Sequence, residues 1–293
     1  MRQAPFLTAA LALAALAAPA AQQPPAGVLR QIVPGHYLYS TGTFNSGVIV
    51  TSEGTVLLDA LASESVAREA RDAITRATGQ PVRVLVSGTH HNQYSKGNSA
   101  YNDVLKVGHE NYRTDLLALM QREKVSVEEQ RARLPTQTYR DRLTLYLGGK
   151  EIQILHLGRG HTRGDSIVFV PQDRIVYLSE VYFANQFLFI NDGYGLDWLK
   201  ALDTIEALDA DIFVPGHGPI PADPRETRQG LRGFRRMIVD VRDAVQAAIA
   251  AGATEDQAAA TLRFPQYERL LGYEAQRATA VRRLYRQLTG TLP

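Results

Sequence analysis

The chain has 293 residues, 45% of them hydrophobic and 21% charged, with a formal net charge of +2. That length and apolar share suit one large domain or two small ones with a sizeable core. The near-balanced charge, with no long Lys/Arg run, excludes a nucleic-acid partner recognised by charge. The lack of cysteine excludes disulfides and thiolate ligands, so any metal must be held by histidines and carboxylates.

Residues 1–20 read as a secretory leader. Arg2 comes first, an apolar run from Phe6 to Ala18 follows, and small residues at Ala18–Ala20 offer a cleavage point. The apolar run falls short of the roughly 20 residues that a membrane span needs, so no span is expected once the leader is removed. Export to the periplasm or beyond follows from this reading. Residues 21–34, starting near QQPP, are expected to be a flexible lead-in.

From His36 to Ala60 apolar and polar residues alternate between glycine turns, which predicts two or three antiparallel strands with a turn at Ser52–Gly54. Ser63–Gly79 is an amphipathic helix, capped by Ser63 and ended by Gly79. Val82–Ser87 is a buried strand that runs into the loop SGTHHNQYSKGN. Arg113–Leu134 is predicted as one helix. Leu143–Gly158 and Asp165–Glu180 each read as a hairpin, the first with a Gly-Gly turn and the second with a PQD turn. A helix over Leu196–Asp209 and a strand over Asp211–Gly216 follow. From Arg225 onward the pattern is helical, with a break at Ala251–Gln257 and a new start at Thr254. Mixed sheets with helices on their outer faces fit this order.

Four motifs then line up: GTHHNQYSKGN, GRGHTRGD (Gly158–Asp165), YLSE (Tyr177–Glu180) and VPGHG (Val214–Gly218). With GVIVTSEGTVLLD ahead of them, the chain resembles the metallo-β-lactamase superfamily over about Gly35 to Ile220. The resemblance implies an α/β (α+β) fold, the four-layer αββα sandwich, over residues 35–224. Residues 225–293 would be a helical extension packed on it. In that family the first loop reads T-H-x-H-x-D-H. A gapless match puts Thr89 at the first His, His91 at the second, Gln93 at the Asp and Tyr94 at the last His. His161 matches the His of GHT, Glu180 the bridging Asp, and His217 the final His. Asp59 and Asp165 match acidic residues that support the metal loops. A loop one residue shorter would place His90 at the first position at the cost of His91, because neighbours on an extended segment face opposite ways. The gapless match leaves His90 facing away.

Three ligand positions, Thr89, Gln93 and Tyr94, are therefore lost, and each half of the family's two-metal site is broken. The metals of such a site sit roughly 3.5–4 Å apart. The survivors His91, His161, Glu180 and His217 could thus converge on a single ion, with Zn²⁺ suited to three imidazoles and a carboxylate. Such an ion lowers the pKa of a bound water to about 7. Two readings follow. One is an exported hydrolase with a reduced, mononuclear zinc site, cleaving an ester, amide, lactone or thioester of a small molecule. Glu180 would act in it, with Tyr94 and Lys96 as candidate oxyanion stabilisers. The other is an inactive relative, holding one zinc or none, that binds a ligand or partner in the old cleft. Tyr182, Phe183, Phe187 and Phe189 are either an apolar wall for substrate or core. His36, His109 and His156 read as structural.

Overall fold

The computed structural model describes residues 27–292. The leader reading, residues 1–20, lies outside them. Two sheets stack face to face between helical layers. The first has seven strands in chain order: β1 (Val28–Val33), β2 (His36–Ser40), β3 (Asn45–Thr51), β4 (Gly54–Leu58), β5 (Val82–Ser87), β6 (Leu105–His109) and β7 (Gln137–Tyr139). Pairing is antiparallel up to β4 and parallel from β4 to β7. The second sheet holds β8 (Arg142–Leu147), β9 (Lys150–Leu155), β10 (Ile167–Val170), β11 (Ile175–Tyr177) and β12 (Ile212–Val214), in the order β12-β11-β10-β9-β8.

The helices are α1 (Glu64–Thr78), the single turn α2 (Asn92–Ser95), α3 (Glu110–Arg122), α4 (Val127–Arg133), α5 (Gly195–Glu206), α6 (Thr227–Ala250), α7 (Glu255–Thr261) and α8 (Tyr273–Leu288). Alternation along the strands sorts the core into layers. Ile49, Val56 and Val86 of the first sheet meet Ile154, Val168 and Val214 of the second. Val48, Leu57 and Leu85 point the other way, onto Ala67 and Ile74 of α1. Leu155, Phe169 and Val176 face out onto α5, α6 and α8. The result is the expected αββα sandwich, and no helix among the described residues is long and apolar enough to cross a membrane.

Local signals placed most elements. The Ser63 side chain accepts the Val66 N–H, and Gly79 closes α1 with φ 67°. Thr254 and Gln257 form the capping box that starts α7. Three expectations change. Residues 28–33 of the lead-in form strand β1 on β2, because pairing with His36–Ser40 satisfies their backbone groups. The single helix over Arg113–Leu134 is two, broken at Lys124, whose φ of 56° no helix can continue. Strands β6 and β7 carry no strong pattern of their own and exist through parallel pairing.

The remaining histidines are structural, as their sequence contexts implied. His36 lies between Tyr177 (3.0 Å) and Asp173 (2.8 Å). His109 caps α3, its Nδ1 accepting the Asn111 N–H at 3.1 Å, and its ring stacks on His156 with centroids 3.8 Å apart. Burial, then the neighbouring His156, pushes His109 down from 6.5 to about 4. A folded pKa below the unfolded one means that the unfolded chain takes up the proton first as pH falls. This ring's contribution is therefore complete above about pH 6.5 and drains away toward pH 4. A His109→Asn protein keeps a capping side chain and loses this titration. The gap in melting temperature between wild type and this variant is expected to narrow as pH drops through that window. A gap that stays constant would refute the linkage.

Candidate metal centre

Three loops at one end of the sandwich bring their histidines to Glu180, which sits on a fourth. His91 Nδ1 lies 2.7 Å from Glu180 Oε2, and His217 Nε2 lies 3.0 Å from Oε1. His161 Nδ1 is 3.3 Å from Oε2. Glu180, His161 and His217 are 2%, 0% and 4% exposed, so the carboxylate sits in a dry pocket of imidazoles. Donor atoms of His91, His161 and Glu180 lie within 4.8 Å of one another. The four surviving ligand positions are thus brought together.

Each loop is held from outside the cluster. Asp59, at the end of β4, accepts the Gly88 N–H at 2.7 Å and the Ser179 hydroxyl at 2.5 Å, and so ties the first loop to the Glu180 turn. Asp165 accepts both the Thr162 N–H (2.8 Å) and its hydroxyl (2.5 Å), which folds the loop that presents His161. Burial pushes these two carboxyls up, to about 8 and about 7, against the hydrogen bonds that favour their charge. The Asn45 amide donates to the Pro215 and Gly218 carbonyls around His217. Buried Arg133 braces α2 through Asn92 and Ser95.

The charges in the cluster follow from this packing. Burial opposes an ionised Glu180, but the surrounding His161 and His91 and the His217 and His91 hydrogen bonds hold it well below the usual carboxylate range. Burial also opposes a charged His91, yet Glu180 on one side and Asp192 on the other push it up to about 10. Burial drives His161 down to about 3, so that ring is neutral.

The donor set fits a metal ion. Both nitrogens of His161 and Nδ1 of His217 are buried without a hydrogen-bond partner. An orphaned buried nitrogen costs about 1–3 kcal/mol, and a cation bound at one nitrogen of His161 relieves that share of the cost. Three imidazoles and one carboxylate match the ligand types of zinc. A cation would take the places of the protons that His91 and His217 now direct at Glu180.

Thr89 is buried with an unpartnered hydroxyl, and Gln93 is half-buried. Tyr94 packs 5.5 Å from the His217 ring, but its hydroxyl is spent on the Gly216 carbonyl at 2.5 Å, so it orders a loop and faces no substrate. Lys96 is not brought to the cluster: it is exposed and lines a separate hollow with Glu64 and Glu128. Phe183 and Phe189 do wall the site, with ring centroids 5.3 and 6.0 Å from His161. Phe187 and Tyr182 belong to the core.

Two residues depart from expectation. His90 does not turn away: its ring lies 4.7 Å from that of His91, at the outer mouth of the cluster, because both residues lie in the loop between β5 and α2 and not on a pleated strand. Asp192, in the loop before α5, accepts from His91 Nε2 at 3.0 Å. No local signal marks it, since an exposed Asp in NDG reads only as a turn. His90, His91 and Asp192 form a second group with donors within 4.8 Å. Asp192 fixes the ring orientation that aims Nδ1 of His91 at Glu180, the familiar carboxylate–histidine arrangement behind a metal. An Asp192→Ala protein is expected to bind Zn²⁺ about tenfold more weakly, the low end for such partners because Asp192 is 59% exposed. Competition with a chromophoric chelator reads this directly, and an unchanged affinity would refute the role.

Beside the cluster, His90 and Asp192 line a cleft of about 210 Å³ together with Arg163 and Arg283. Arg163 is paired with Asp115, and Arg283 donates to the Gly193 carbonyl.

Comparison with known proteins agrees with this geometry. The family model of the metallo-beta-lactamase superfamily matches residues 42–217, more than half of the chain. A type 2 metallo-beta-lactamase from Elizabethkingia meningoseptica is 24% identical over 67% of this chain and 80% of its own. A linear primary-alkylsulfatase from Pseudomonas sp. is 26% identical over 47% of this chain and 27% of its own, so the match spans about a quarter of that relative. Among solved structures, a metallo-beta-lactamase from Pontibacter korlensis superposes with a TM-score of 0.61 at 20% identity, covering 73% of this chain and 99% of that one. A stereoselective inverting sec-alkylsulfatase from Pseudomonas sp. gives 0.71 at 16% identity, over 91% of this chain and 51% of that one. With the sandwich, the GHT and GHG loops and the family match in agreement, the chain belongs to the metallo-β-lactamase superfamily.

Proposed function

We propose that the chain is an exported hydrolase with a single metal site, which cleaves an ester-, amide-, lactone- or thioester-type bond in a small molecule. The observation that supports it most is the convergence of His91, His161 and His217 on one buried carboxylate, with a nitrogen of His161 left for an ion. His91, His161, Glu180 and His217 would hold one Zn²⁺. When bound, that ion supplies a Lewis acid that polarises the scissile group and activates water.

The chain's own residues divide the remaining work. Glu180 is engaged on both oxygens and neutralises the ion. Asp192 orients His91. Phe183, Phe189 and Trp198 surround His161 and keep bulk water from its face. The arginine-lined cleft beside His90 and Asp192 is the approach that lies nearest to His91. The leader at residues 1–20 supports export.

Elemental analysis of protein purified without chelators tests the site. About one Zn²⁺ per chain is expected, because the four residues make a single ligand set. Esters, lactones and thioesters then form the activity panel, and the names of the similar proteins add sulfate esters and β-lactams to it. No metal, with folding indifferent to chelator, would overturn the proposal. So would metal-loaded protein that hydrolyses nothing in that panel.

A further inference from the structure

Phe183 has a second role. Its ring packs on His217 and His161, and it also lines a separate cavity of about 500 Å³ that none of the four metal-site residues lines. The segment after Glu180 and the loop after His217 form one side. Helix α6 and the stretch between α7 and α8 form the other. Phe183, Ile220, Phe234, Met237, Tyr267 and Leu270 make its walls apolar. The volume lies within the roughly 300–1,000 Å³ typical of small-molecule pockets.

We propose that this cavity is a binding site for a small, uncharged, largely apolar molecule that presents one hydrogen-bond acceptor to the Tyr182 hydroxyl. Tyr182 is 3% exposed, lines the cavity, and makes no side-chain hydrogen bond among the described residues. Its hydroxyl lies against Gly230 on the same wall, where a Cβ would sit 2.1 Å from the oxygen. Burial pushes this phenol up, so it remains a donor at neutral pH. A donor on the cavity wall without a protein partner is free for an acceptor held there.

Charge and shape narrow the ligand. No Lys, Arg or His lines the cavity, and Glu226 stands at its rim, which disfavours an anion. On α6, Gly230 and Gly233 present a face without side chains. A Cβ at Gly233 would meet nothing within 4 Å. Two helical glycines are costly to a helix; here Gly230 admits the Tyr182 hydroxyl and Gly233 leaves room for a flat or alicyclic body. The site does not depend on the metal, so its fate in a test is separate from that of the hydrolase reading.

Trp198, the only tryptophan of the chain, reports on this cavity, because its ring lies 5.5 Å from Phe234 and 5.9 Å from Phe183. Titration of the full-length protein with cyclohexyl methyl ketone is expected to change its emission saturably, with the same Kd in metal-loaded and metal-free protein. Tyr182→Phe should weaken the ketone about fivefold, as one lost neutral hydrogen bond does, while ethylcyclohexane binds both proteins alike. Gly233→Leu, which improves helix propensity and fills the cavity, should remove saturation without lowering the melting temperature. Cyclohexanecarboxylate should bind at least tenfold more weakly than the ketone. A linear, non-saturating response overturns the proposal. So does a Tyr182→Phe protein that binds the ketone as tightly as wild type, which holds even if Gly233→Leu folds poorly.

Discussion

Replacing His161 with alanine is expected to strip the protein of its metal and to abolish hydrolysis. The other three ligands each have a partner without an ion: His91 and His217 donate to Glu180, and Glu180 accepts from both. His161 has none, and both of its nitrogens are buried and unpaired. Its contribution to affinity is therefore undiluted by any competing hydrogen bond. Loss of a direct ligand should exceed the 10–100-fold that outer partners give, so an affinity loss of roughly 100-fold or more is expected. Zinc content after dialysis is the readout. Because the ring is enclosed by Phe183, Phe189 and Trp198, the variant also opens a small void. Circular dichroism at the assay temperature separates a metal defect from a folding defect. Full zinc occupancy in folded His161→Ala protein would remove His161 from the site.

The second large effect is steric. Gly216 precedes His217, and a Cβ there would sit 2.1 Å from the Ser179 carbonyl oxygen and 2.9 Å from the Glu180 nitrogen. Both are backbone atoms, so no side chain can swing aside. Ser179 already holds φ at 48°, and its turn has little slack. Gly216→Ala should push the His217 loop and the Glu180 turn apart. It is expected to cost about 3 kcal/mol, the upper part of the range for overpacking. In a protein of this size that lowers the melting temperature by about 6–12 °C. Zinc affinity should fall with it, since two ligands move. A variant that melts with wild type would show that the loops yield freely.

Much of this site was legible because its parts are local. His161 and Asp165 belong to one six-residue loop, and the hydrogen bonds from Thr162 to Asp165 that shape it span three residues. His217 sits between two glycines in a run that can only be a tight turn. Ser63, Gly79 and Thr254 announced their helices through caps. What stayed hidden depends on distance along the chain. Asp192 reaches His91 across 101 positions, and Arg133 reaches Asn92 across 41. His90 was misread because strand alternation was assumed in a loop, where neighbouring rings need not diverge. Tyr94 and Lys96 are neighbours of a ligand in sequence, yet one is consumed by a carbonyl and the other faces solvent on another hollow. Strand β7 has three residues, too few for any periodicity to show.

The helices after Arg225 carry a consequence for how this protein can be cut. Phe234 of α6 packs 5.4 Å from Phe183 and 5.5 Å from Trp198, the two rings that back His161, and Leu231, Val281 and Leu284 share that core. The extension is thus the outermost layer of the second sheet and the rear of the metal pocket at once. A fragment ending at residue 224 would bare an oily face and leave His161 without its backing. Any minimal version or chimera has to keep the sandwich and its tail as one piece.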